Sequence, residues 1–80
     1  MGGVLRTTLA AMQPGQAGTI VEVQGGRGLA DRLASLGIMP GRKVTKVSGM
    51  ILRGPVTIAV GRTQVAVGFG MASKIVVEAE

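Results

Sequence analysis

The 80-residue sequence contains no cysteine, histidine, tryptophan or tyrosine, and Phe69 is its single aromatic residue. Without cysteine, the chain can form neither a disulfide framework nor a thiolate zinc site. General acid–base and covalent catalysis rely on histidine, cysteine, tyrosine or paired acidic groups, and the chain has only four scattered acidic residues. We therefore predict that the protein is not an enzyme and carries no cofactor.

Long apolar runs are also missing. No segment approaches the ~18 apolar residues that a membrane-spanning helix needs, and residues 1–6 lack the apolar stretch of a signal peptide. These absences predict a cytoplasmic protein that does not insert into the membrane. A chain of this length can build one hydrophobic core, so residues 1–80 are predicted to form a single domain.

Glycine and small aliphatic residues dominate what is present. The 14 glycines separate short runs of valine, isoleucine and leucine, a pattern typical of short strands joined by turns. Five strands are predicted, at residues 17–24, 42–48, 56–60, 63–67 and 74–78. Residues 7–12 are predicted to form a turn or short helix before the first strand, and residues 68–73 a connection with one helical turn.

The sequence around Gly61 predicts a hairpin with a defined register. Gly61 and Arg62 form a two-residue turn in which glycine supplies the positive φ angle. Opposed positions then pair Val60 with Thr63, and the same register pairs Ile58 with Val65 and Val56 with Val67. These residues share one face, so that face is predicted to lie on the core.

A short helix is predicted after the first strand, over about nine residues that begin near Gly28. Leu29, Leu33 and Leu36 form one apolar stripe at helical spacing. Gly37 stands at the position of the left-handed C′ residue of a Schellman motif and Ile38 at the position of that motif's hydrophobic contact, and Pro40 prevents continuation. Five strands with one inserted helix predict a mainly β fold, a small SH3-like and partly open barrel.

The excess of basic residues raises the alternative of nucleic-acid binding. Nine lysine and arginine residues give a net charge of +5. They are dispersed, however, and cluster only at Arg42, Lys43 and Lys46. Aromatic side chains that could stack on bases are lacking. A nucleic-acid-binding barrel that uses these three residues and Arg62 is therefore an alternative, and nucleic acid is not the expected partner.

No metal site is predicted from the acidic residues. Iron(II) favours imidazole and carboxylate ligands, and the sequence offers only the thioethers of its methionines and the carboxylates of Glu22, Asp31, Glu78 and Glu80. Only Glu78 and Glu80 lie close in sequence, and we interpret all four acids as surface residues.

Several motifs together resemble the ferrous iron transport protein A (FeoA) family. The segment LASLGIMPG at residues 33–41 follows GRGL at residues 26–29 and fits the family pattern L-x-x-L-G-[ILM]-x-P-G. MQPG at residues 12–15, RGPV at 53–56, VAVG at 65–68 and KIVV at 74–77 agree with the family in order. The resemblance covers nearly the whole chain, with a departure at Arg53, where the family commonly has Gly-Asp.

This resemblance implies an SH3-like fold and a role in ferrous iron uptake. The family is expected to assist the membrane transporter FeoB by direct contact with that transporter's cytosolic nucleotide-binding portion. The C-terminal domain of iron-dependent repressors shares the architecture, so an isolated regulatory domain of that kind is a further alternative. We expect no DNA-binding helices before this domain, which favours the transport accessory.

Two segments are predicted to bind a protein partner. The first is the loop Met50, Ile51, Leu52 and Arg53, because three consecutive large apolar residues are unusual in a surface loop. The second is the helix face around Leu33, with Arg27 and Arg32 beside it to attract acidic groups. The same loop and the sheet edges also offer a route to self-association.

Overall fold

The structure is a computed structural model and describes residues 5–48 and 54–80. Six strands and two short helices build this part of the chain. The mainly β class is therefore as predicted. The strands are Leu5–Thr8 (β1), Ala17–Val23 (β2), Lys43–Ser48 (β3), Val56–Val60 (β4), Thr63–Val67 (β5) and Ile75–Ala79 (β6), and the helices are Arg27–Ala34 (α1) and Phe69–Ala72 (α2).

The strands form one sheet in the order β1-β6-β2-β3-β4-β5, and all neighbours are antiparallel. The prediction of five strands missed β1, so α1 follows the second strand rather than the first. β1 has only four residues, and it is ordered by pairing with β6, where Leu5 lies opposite Ala79. A partner more than 70 positions away leaves no local pattern in the sequence.

The β4–β5 hairpin has the predicted register. Val60 pairs with Thr63, Ile58 with Val65 and Val56 with Val67, and Gly61 has a φ angle of 60°. Because side chains alternate across a strand, this register sends one set of valines and isoleucines into the core.

The core lies on the inner face of the sheet and is aliphatic, as the composition predicted. α1 contributes Leu33, and the segment after it contributes Ile38. The buried hydrophobic residues packed in this cluster are Leu9, Met12, Ile20, Leu33, Ile38, Val44, Val56, Ile58, Val60, Val67, Ala72, Ile75 and Val77.

The end of α1 forms the predicted Schellman motif. Gly37 has a φ angle of 87°; the N–H of Ile38 donates to the carbonyl of Leu33, and the N–H of Gly37 donates to that of Ala34. This turn directs Ile38 into the core.

No helix within residues 5–48 and 54–80 is long and apolar enough to cross a membrane.

Candidate partner-binding site

A patch at the C-terminal end of α1 combines exposed apolar and basic side chains; we call it the helix corner and define it as Arg32, Leu36, Met39 and Arg42. Leu36 is 49% exposed and Met39 is 37% exposed. Arg42 reaches the same end, where its Nε donates to the carbonyl of Gly37 at 3.3 Å. Exposed leucine and methionine beside arginine are typical of protein-binding surfaces.

Leu36 is exposed, whereas the sequence pattern predicted that it continues the apolar stripe of the helix. α1 ends at Ala34, so Leu36 follows the last helical residue and does not continue the buried face. Ile38, which is fully buried, occupies the core below the end of the helix instead. The helical spacing of Leu29, Leu33 and Leu36 therefore overestimated the length of the buried stripe.

The structure separates the predicted helix-face residues into two groups. Arg27 and Arg32 are exposed, and they are five positions apart on α1, so they project on two sides of the helix. Leu33 is only 1% exposed. Its side chain packs in the core and offers no surface to a partner, so we correct its assignment to the partner-binding surface. The predicted loop of Met50, Ile51, Leu52 and Arg53 lies outside the described residues.

Lys46 is a buried basic residue that sequence reasoning placed wrongly. It is 3% exposed, and its Nζ donates to the carbonyls of Ala10 at 3.0 Å and Met12 at 2.6 Å. Its own backbone N–H donates to the carbonyl of Gln16, and its carbonyl accepts from the N–H of Gly15. Lys46 thus fastens the turn between β1 and β2 to β3.

The burial of Lys46 removes one residue from the predicted basic cluster. Lys46 lies two positions after Val44, and residues at that spacing share a face of the strand. This alternation was the signal that could have identified it. Arg42, Lys43 and Arg62 are exposed, but the alternative in which Lys46 joins them on a nucleic-acid-binding surface is wrong for Lys46.

Burial also predicts how stability depends on pH. Desolvation lowers the pKa of Lys46 below 10.5, because the ammonium is less well solvated in the fold than in the unfolded chain. The unfolded state then binds more protons between the two pKa values, so the free energy of unfolding rises with pH across that interval. The neutral amine still has two N–H donors for the two carbonyls.

We expect urea titrations to show this rise in the alkaline range, up to pH about 10.5. The Lys46→Met variant has no titrating group at this position and should lack that part of the rise. An equal rise in the variant would mean that other groups cause it.

The carboxylates of Glu78 in β6 and of Glu80, which directly follows that strand, are engaged in ion pairs. Glu78 contacts Arg6 at 3.3 Å, and Glu80 contacts Lys43 at 3.0 Å. Across residues 5–48 and 54–80, no three acidic side chains come together as metal ligands would. These acids therefore join β6 to β1 and β3 at the surface.

The chain resembles one protein family over almost its full length. The model of the FeoA domain matches residues 7–79. The crystal structure of the iron uptake regulatory protein FeoA superposes with a TM-score of 0.89 at 30% identity, and the match covers 95% of this chain and 100% of that one. No curated protein sequence matches significantly.

Two further structures extend the likeness. FeoA from Stenotrophomonas maltophilia, an SH3 domain protein solved with zinc, has a TM-score of 0.78 at 27% identity over 92% of this chain and 95% of that one. A manganese-dependent transcriptional repressor has a TM-score of 0.86 at 20% identity, and this chain spans 45% of its length. The repressor shares the fold alone. The SH3-like architecture predicted from the sequence is confirmed.

Proposed function

Because this chain belongs to the FeoA domain family, we propose that it is an accessory of ferrous iron uptake that acts by binding the cytosolic portion of the transporter FeoB. The family is associated with ferrous iron transport. In this proposal the protein works in the cytoplasm as one domain, and its effect on transport comes from contact rather than from chemistry of its own.

The exposure of the helix corner is the observation that carries the proposal. An aliphatic domain of this size gains stability from each apolar side chain that it buries, so leucine and methionine left at the surface favour a role in contact with a partner. Arg32 and Arg42 stand at the same end of α1, and their charges favour a partner with an acidic surface.

The other residues predicted from the sequence bear on the contact in different ways. Arg27 is exposed at the start of α1, the end opposite the helix corner, and stays a separate proposed contact. Met50, Ile51, Leu52 and Arg53 remain proposed contacts from the sequence. Leu33 supports the surface from below, because its buried side chain holds α1 against the sheet.

The test measures binding of the purified chain to the cytosolic portion of FeoB by isothermal titration, with FeoB in its nucleotide-bound and its nucleotide-free state. The double variant Leu36→Ser, Met39→Ser removes apolar area from the helix corner without touching the core. We expect the affinity to fall about tenfold or more, since each exposed anchor of this kind contributes ~1–2 kcal/mol to association.

The matched control is Leu5→Ser. Leu5 is 64% exposed on β1, so this substitution removes the same type of side chain elsewhere on the surface. We expect the affinity of the Leu5→Ser variant to equal that of the wild type. If the wild type fails to bind in both nucleotide states, the proposed partner is wrong. If the control and the double variant lose the same affinity, the helix corner is not the contact.

A further inference from the structure

The outer edge of β5 is an open edge of the sheet among the described strands, since β5 neighbours only β4 there. Pairs in an antiparallel hairpin alternate between hydrogen-bonded and non-hydrogen-bonded, and the pair that closes a two-residue turn is hydrogen-bonded. In this register Val65 bonds to β4, and Gln64 and Ala66 direct their backbone N–H and C=O groups away from it. Both residues are exposed.

This edge lacks the features that usually prevent edge pairing. Charged side chains, proline and β-bulges are the common protections, whereas β5 reads TQVAV and pairs with β4 without a register shift. The opposite edge differs, because β1 carries Arg6 in an ion pair with Glu78. An incoming strand would therefore meet charge at β1 and only backbone groups and uncharged side chains at β5.

We propose that two copies of this chain associate through antiparallel pairing of their β5 strands, with the twofold axis at Val65. Gln64 of each copy then lies opposite Ala66 of the other, and each of these pairs exchanges both of its hydrogen bonds. Val65 faces Val65 of the second copy as a non-hydrogen-bonded pair, which covers a side chain that is only half-buried in the single chain.

The ends of β5 select this register over its neighbours. A shift in one direction would need the carbonyl of Gly68, which already accepts from the N–H of Ala72. A shift in the other direction would need the backbone N–H and C=O groups of Arg62, which lies in the hairpin turn. It would also bring the Arg62 residues of the two copies closer together.

Arg62, the charged residue next to β5 in sequence, does not oppose this contact. With the axis at Val65, the two copies of Arg62 stand six positions apart along paired strands, about 20 Å. That distance exceeds the Debye length of ~8 Å at physiological ionic strength, so their repulsion is screened. The contact is small, and we expect a dissociation constant of roughly 0.1–1 mM.

The first test compares two substitutions at one outward-facing position. Gln64→Pro removes the outward N–H, whereas Gln64→Ala removes the side chain and keeps the backbone donor. In sedimentation equilibrium from about 10 µM to about 1 mM, the mass of the wild type and of Gln64→Ala should rise from 8.1 kDa toward twice that value. Gln64→Pro should remain a monomer. A wild type that stays monomeric, or a proline variant that associates like the alanine variant, overturns the proposal.

A second test does not depend on the folding of the proline variant. Because the chain has no cysteine, Val65→Cys introduces a single thiol, and Cα atoms about 4.5 Å apart across the axis allow a disulfide. Under mild oxidation this variant should form covalent dimers faster than Ser73→Cys, whose thiol would be more exposed. Slower dimer formation by Val65→Cys would exclude the proposed axis. That outcome includes the case in which β5 pairs with a strand of a different protein instead of a second copy of this chain.

Discussion

The Lys46→Met variant is expected to lose about 2–4 kcal/mol of unfolding free energy. Methionine fills a similar volume but donates no hydrogen bond, so the carbonyls of Ala10 and Met12 lose the donor that the structure gives them. A buried polar group without a partner costs ~1–3 kcal/mol, and relief of ammonium desolvation offsets part of that cost. An 80-residue domain has only ~4–12 kcal/mol in total, so the loss should shift urea unfolding to a clearly lower midpoint.

The control is the same substitution three positions earlier on the same strand. Lys43 has an exposed side chain, and its ion pair with Glu80 at 3.0 Å is also exposed. Exposed ion pairs contribute ~1 kcal/mol or less, so Lys43→Met should lie close to the wild type. Equal losses in the two variants would show that the carbonyl contacts of Lys46 contribute nothing to stability.

Glycine-to-alanine substitutions at Gly18 and Gly28 are expected to change the free energy of unfolding in opposite directions. A Cβ at Gly18 would lie 2.7 Å from the carbonyl oxygen of Glu78 and 3.2 Å from the Cα of Ala79. Both atoms belong to the backbone of β6, so β2 and β6 would have to move apart. We expect Gly18→Ala to cost about 1–3 kcal/mol, as other overpacked sites do.

Gly28 is the matched reference, since a Cβ there meets no atom within 4 Å and the residue lies inside α1. Alanine is the better helix former, so Gly28→Ala should stabilise by about 0.5–1 kcal/mol. Thermal unfolding resolves the difference, because 1 kcal/mol shifts the midpoint by ~4–8 °C in a domain of this size. A stabilised Gly18→Ala would mean that the two strands are not held at this separation.

The parts of the fold that the sequence predicted well are those set by neighbouring residues. The turn at Gly61 fixes the hairpin register, and Gly37 with Ile38 fixes the end of α1. Both depend on backbone conformations that few residues other than glycine adopt, so a short segment was enough to identify them.

The errors share a different cause, namely contacts between distant segments. β1 exists because β6 pairs with it, and Lys46 is buried because the turn near Met12 supplies two carbonyls. Gly18 lies in a strand that the sequence predicted, but the sequence did not indicate that β6 leaves it no space for a side chain. In each case the deciding partner lies far along the chain.

The candidate site was predicted in part for the same reason. Arg27 and Arg32 could be placed on the surface from the helical pattern, and both are exposed. Leu36 and Met39 were not selected, because their exposure depends on Ile38 taking the core position beneath the helix. A pattern of hydrophobic residues does not show which of them will remain exposed when a small core cannot hold them all.

The position of β6 between β1 and β2 has a consequence for folding kinetics. β3, β4 and β5 are consecutive neighbours, but β6 pairs with β1 and β2 across most of the chain length. Local pairs close rapidly, whereas pairs of high sequence separation carry a larger entropic cost of loop closure. We therefore expect the β4–β5 hairpin to order early and the arrival of β6 to be the late, rate-determining event.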